Sequence, residues 1–162
     1  MSAVIQPQIE IRSMRRSDVS AVHAIEKASY PFPWTRGIMI DCLKVGYDCR
    51  VLTVDCMIAA YAIVTQAMDE AHLLNLCVAS SHRRQGLARL LLEQLKNEAR
   101  LTGANRLFLE VRPSNRSALK LYRSSDFRLI GRRPGYYPAE GEREDAMVMV
   151  CHLDDESGSA RR

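Results

Sequence analysis

Residues 71–103 constrain this chain more than any other stretch. Ala71 to Val78 is apolar at nearly every position, which predicts a central strand covered on both faces. Leu87, Leu91, Leu95 and Ala99 then recur at helical spacing, so a long amphipathic helix follows at once. Its start is expected near Gln85 or Gly86, and Gly103 ends it. A strand that feeds a helix through one short polar turn belongs to a layered domain with helices packed on a sheet.

The flanking sequence extends that pattern. Ile9 to Met14 alternates as a first strand, and Ser17 can cap a helix through Val19, Val22, Ala24 and Ile25. Pro31-Phe32-Pro33-Trp34 breaks it, and Thr35 can cap a second helix toward Leu43. Val51–Val54 and Met57–Val64 read as strands of a meander. Arg106–Val111 is another strand, and Ser117–Ser124 a short helix with Ser114 or Asn115 as its cap. Phe127–Arg132 and Ala146–Leu153 close the domain, which is expected to span residues 1–153. A polar tail follows from 154 to 162 and is expected to fray.

Composition narrows the function classes. A net charge of +4 is mild for a nucleic-acid binder and suits a phosphorylated ligand. The five cysteines are odd in number and form no CxxC pair, so neither a disulfide framework nor a zinc knuckle is expected. The start lacks a signal-peptide pattern, and no apolar run reaches the roughly 18 residues of a membrane span. A cytoplasmic, membrane-free protein without a metal is the expectation, a monomer or weak dimer.

The turn before the long helix holds Arg83, Arg84, Gly86 and small Ala88. The first N–H groups of a helix lack internal partners and carry the positive end of its dipole. They make an anion site, above all for phosphate. Neither GxGxxG nor GxxxxGK with Ser or Thr is present. From spacing alone, a phosphate cradle and a plain turn both fit.

The stretch LLNLCVASSHRRQGLARLLLEQL resembles the signature of the GNAT acetyltransferase superfamily, in which Gln or Arg, two residues, Gly, one residue and then Gly or Ala recur. Arg83, Gly86 and Ala88 fill it. Over nearly the whole chain the resemblance is greatest to the RimI family, which acetylates the N-terminal alanine of ribosomal protein bS18. It rests on Phe32-Pro33-Trp34, Asn75, Leu109-Glu110-Val111-Arg112, Ser114-Asn115, Ala118 through Leu121-Tyr122, Tyr136-Tyr137-Pro138 and Arg143-Glu144-Asp145-Ala146.

The resemblance implies an α/β fold with a mixed, mostly antiparallel sheet of about seven strands, splayed after strand four and flanked by about four helices. It implies acetyl-CoA as co-substrate. Leu76, Cys77 and Val78 would take the pantetheine arm, Arg83, Arg84, Gln85, Gly86, Leu87, Ala88 and Arg89 the pyrophosphate, and Asn115 a further cofactor contact. Glu110 matches the general base and Tyr122 the general acid. Tyr136, Tyr137 and Trp34 would hold the substrate, the N-terminal segment of a basic ribosomal protein.

The residues by themselves leave alternatives beside each role. Glu110 could instead pair structurally with Arg112 or Arg106, Tyr122 could be a core aromatic, and Trp34 could be core. If the chain is extended at Tyr136-Tyr137, the two rings point to opposite faces and one touches substrate. Glu140, Glu142, Glu144 and Asp145 are either a solvated loop or a lure for a basic peptide. His72 and His82 read as ordinary strand or surface residues, and Cys77 as an inert buried thiol. Acetylation of lysines or small amines, and a non-catalytic module docked on the ribosome, are the rival functions. Asp126 replaces a glycine common in relatives, a change aspartate can bear.

Overall fold

The computed structural model describes residues 3–154. Apart from Asp154, the expected polar tail lies outside the described residues. Seven strands and four α-helices follow in order: β1 (Ile9–Ser13), α1 (Val19–Ser29), α2 (Arg36–Lys44), β2 (Asp48–Val54), β3 (Met57–Ala67), β4 (Glu70–Val78), α3 (Leu87–Leu101), β5 (Arg106–Val111), α4 (Arg116–Ser124), β6 (Arg128–Tyr137) and β7 (Glu144–His152). Tight 3-10 turns at Arg16–Asp18 and Ser80–His82 precede α1 and α3.

The strands form a sheet in the order β1-β2-β3-β4-β5-β7-β6. β1 and β2 are antiparallel, as are β5 and β7, and β7 and β6. Asp55-Cys56 and Met68-Asp69 join β2 to β3 and β3 to β4, turns too short for parallel neighbours. Asp55, Cys56 and Met68 take left-handed φ of 49°, 68° and 56°, which suits tight hairpins. β4 and β5 are the parallel pair, because α3 crosses between them. Their ladder joins Glu70–Leu73 to Arg106–Leu109 and stops, although β4 continues to Val78. This is the mixed, mostly antiparallel sheet, splayed after its fourth strand, that the resemblance implies.

Two compact units share these elements: 3–63 with Asn75–Leu91, and Val64–Leu74 with 92–154. In the first, Val19, Val22 and Met39 are fully buried, as are the consecutive residues Ala59–Ile63 of β3. β3 is therefore the strand covered on both faces, not β4. β4 buries Ala71, Leu73 and Cys77 but leaves Leu74–Leu76 half-buried, an alternation that its apolar sequence conceals. In the second unit Leu92, Leu95, Leu107, Leu109 and Met149 form the core. Each such side chain contributes roughly 1.5–3 kcal/mol.

Local signals held with two adjustments. Thr35 Oγ1 accepts from Ile38 N at 3.2 Å and caps α2. α1 is introduced by Asp18, not Ser17. The Asp18 carboxylate accepts Arg15 N at 2.7 Å and both ends of the Arg12 guanidinium at 2.7 and 3.0 Å, which a serine hydroxyl could not match. Asn115, not Ser114, caps α4, with Oδ1 accepting from Ala118 N at 3.2 Å. Gly103 ends the α3 segment at φ 97°, and Asp126 holds its left-handed turn at φ 68°.

Candidate active site

The first unit carries the end of β4 and the turn into α3. Leu76 O accepts the Tyr30 hydroxyl at 3.3 Å, and Cys77 is buried. Burial pushes the Cys77 thiol up, so it is held protonated and unreactive. Arg83 donates from Nε to Val78 O and from Nη2 to Ser29 Oγ, both at 3.3 Å, which ties the turn to the strand end and to α1. Arg84 and Gly86 take left-handed φ of 62° and 75°. A Cβ on Gly86 would meet nothing within 4 Å, so backbone conformation, not crowding, calls for glycine. The same open space leaves the backbone approachable. α3 begins at Leu87, slightly later than expected, and its first bond runs from Leu90 N to Gly86 O at 3.0 Å. The preceding N–H groups form the positive end of its dipole.

Trp34 stands on the segment between α1 and α2, fixed by its backbone. Its N–H donates to Glu26 Oε1 at 3.0 Å. Glu26 is 2% exposed, and its Oε2 also accepts Asn75 Nδ2 at 3.0 Å and the Tyr61 hydroxyl. Burial pushes the Tyr61 phenol far up, so it stays a donor.

The second unit holds Glu110, near the end of β5. Its side chain is 9% exposed, and Oε2 is hydrogen-bonded to His72 Nε2 from β4. Oε1 lies 3.5 Å from Arg133 Nη2 of β6. Burial alone would raise the carboxyl, but the His72 hydrogen bond and the charges of His72 and Arg133 outweigh it and hold the group below the usual range. Arg106 and Arg112, the partners suggested by sequence, are engaged elsewhere, with Glu70 and with Glu144. β5 lies inside the sheet, between β4 and β7, and residues of other strands, not the arginines nearest in sequence, supply the partners of Glu110.

Tyr122 is buried in α4, its ring 5.6 Å from Phe127. Tyr136 and Tyr137 are the last residues of β6, not members of the loop. Their rings do not diverge to opposite faces: they meet edge to face at 4.8 Å. The ladder with β7 is irregular between Arg133 and Tyr137, and Gly135 has φ 59°, which breaks the alternation. The Arg112 guanidinium lies 4.3 Å from the Tyr137 ring centroid and donates to Pro138 O at 2.9 Å. Glu144 accepts from Ser114 N at 2.9 Å and from Arg112 at 3.2 Å, and these contacts keep it ionised below the usual range. Asp145 accepts Gly135 N at 2.9 Å. Two of the four hairpin acids are thus structural, while Glu140 and Glu142 stay exposed.

The model of the acetyltransferase (GNAT) family matches residues 19–127. The chain belongs to that family. It is 39% identical over 143 residues to the [ribosomal protein bS18]-alanine N-acetyltransferase of Escherichia coli strain K12, covering 88% of this chain and 97% of that one. The crystal structure of the Escherichia coli ribosomal-protein-S18-alanine N-acetyltransferase superposes with a TM-score of 0.86 at 35% identity, over 96% of this chain and all of that one. A putative acetyltransferase from Salmonella typhimurium, solved with its cofactor acetyl-CoA, shares the fold at a TM-score of 0.77 and 20% identity, over 92% and 96% of the two chains.

Within this GNAT chain, sequence reasoning missed His72, Arg133 and Glu26 as partners of the site elements. His72 and Arg133 reach Glu110 only through strand pairing, and no local spacing announces it. Glu26 carried a usable signal, a lone acid on the helix that precedes Phe32-Pro33-Trp34. Among the described residues, no group of three or more His, Cys, Asp or Glu could hold a metal ion, and no helix is long and apolar enough to cross a membrane.

Proposed function

We propose that this chain acetylates the N-terminal α-amine of a protein, the alanine of ribosomal protein bS18, with acetyl-CoA as donor. Support comes from the relatives just described and from one geometric observation: Glu110, a carboxylate sheltered from water and kept ionised, beside Tyr137. An α-amine has a pKa of about 7.7–8.0, so roughly a tenth or more is neutral near pH 7, against well under a thousandth of a lysine. Even a weak base suffices for such a nucleophile, directly or through one water.

The open, left-handed turn at Arg84 to Gly86 and the start of α3 suit a pyrophosphate, and we assign Arg83 through Arg89 to it. Leu76, Cys77 and Val78 would meet the pantetheine arm, and Asn115 keeps its Nδ2 for a cofactor contact while Oδ1 caps α4. When bound, acetyl-CoA supplies a thioester whose carbonyl carbon is attacked as the C–S bond breaks. Glu110 removes the proton that the amine loses. The Tyr122 hydroxyl would donate to the departing sulfur. The exposed edge of Tyr136, the Tyr137 ring and Trp34 would hold the peptide's first residues. A ribosomal substrate places the reaction in the cytoplasm.

Mass spectrometry of three peptides tests this reading. One starts with a free alanine, one is blocked but contains lysine, and one has no free amine. Acetyl on the alanine nitrogen alone is expected. Acetyl on lysine of the blocked peptide at an equal rate would overturn it.

A further inference from the structure

His72 offers what the other neighbours of Glu110 cannot. The parallel register sets His72 opposite Phe108, so Glu110 lies two residues on along the same face of β5. There Nε2 meets Oε2 of the carboxylate. His72 is 33% exposed and Glu110 9%, so the imidazole connects a sheltered carboxylate with solvent. On the other oxygen, Arg133 of β6 is a permanent cation. Tyr137, also of β6, is pushed up by burial and stays neutral through the working range. Arg106 of β5 and Arg112, just beyond its end, are paired with Glu70 and Glu144. Of these groups, His72 makes the hydrogen bond to the Glu110 carboxylate.

We propose that His72 is a positioning residue for Glu110: its Nε2–H holds Oε2 and fixes the carboxylate where it accepts the proton that the amine loses. This rests on Glu110 acting as the base. As the amine nitrogen attacks, one N–H bond breaks, an O–H bond forms on Glu110, and the electron pair of the broken bond stays on nitrogen. The proton then passes to solvent.

The test is the split between kcat and KM, measured with an alanine-starting peptide. His72→Ala should lose about tenfold in kcat with KM for peptide little changed. His72→Gln retains an N–H donor, so it should recover most of that loss. Urea midpoints confirm that each variant is folded. A wild-type kcat in His72→Ala, or a loss in His72→Gln as large as in His72→Ala, would overturn the proposal. Glu110→Gln, run in parallel, separates the two levels. If it is crippled while both His72 variants behave as wild type, only the role of His72 fails. If it turns over normally, the base assignment itself fails.

Discussion

Two glutamates with sheltered side chains sit in different surroundings, one in each unit. Glu26 is met by neutral donors: the Trp34 amide, the Asn75 side chain and the Tyr61 phenol. Glu110 is met by groups that carry or can carry charge, His72 and Arg133. Neutral donors fix a carboxylate in place and leave little to change with conditions. Ionic partners act directly on its proton affinity and hold Glu110 below the usual range. The difference separates a carboxylate that builds a loop from one suited to move a proton.

Removing each group should break the pair apart. Glu26→Ala leaves three donors without their acceptor, the Tyr61 phenol among them fully buried, and unfolding free energy should fall by about 3 kcal/mol. Glu110→Ala leaves partly exposed His72 and Arg133, both of which can turn to water, so the loss should stay near 1 kcal/mol. Urea unfolding of both variants measures this, and equal losses would erase the distinction.

Turnover should rank the same two sites in reverse. Glu110→Gln preserves shape but removes the proton acceptor, and kcat should fall by about a hundredfold with acetyl-CoA affinity retained. Tyr122→Phe should lower kcat comparably while cofactor binding persists. Glu26→Gln, if folded, should act chiefly through KM for peptide, because it loosens the Trp34 segment. A kcat loss at Glu26 as large as at Glu110 would show that both carboxylates touch the reacting atoms.

Acid should also distinguish wild type from Glu110→Gln. The folded-state pKa of Glu110 is depressed, so its ionisation stabilises the fold above the unfolded value near 4.3 and that contribution disappears as pH falls through the lower folded value. Chemical denaturation between about pH 6 and 3 should show a declining stability advantage of wild type over the glutamine variant. Parallel curves would mean that His72 and Arg133 do not favour the charged form.

Much of the fold was legible because its signals are local. The period of Leu87, Leu91, Leu95 and Ala99, the Thr35 cap and the left-handed Asp126 all depend on neighbours within a turn or two. The partners of Glu110 depend on which strand lies beside β5 and in what register, which no short window encodes. The Tyr136–Tyr137 pair failed for a related reason. Alternation predicts opposite faces, but a ladder irregularity and a left-handed Gly135 override it. The apolar run of β4 misled because an apolar side chain need not be covered.

The hairpin supplies the smallest expected effect and the closest test of what exposed acids add beyond Glu110. Glu144 and Asp145 are tied to Ser114, Arg112 and Gly135, so changing them would disturb the hairpin and report on structure. Glu140 and Glu142 are exposed, and only their long-range field can act on an incoming peptide. Exposed charges steer encounter weakly and are screened by salt. Replacing both by glutamine should raise KM for a basic alanine-starting peptide by about twofold at low ionic strength, with kcat unchanged. The effect should vanish in about 0.5 M salt, where the screening length falls to a few ångströms. A change that persists in salt would mean direct contact with substrate, and the hairpin acids would then join Tyr136 and Tyr137 as part of the binding surface.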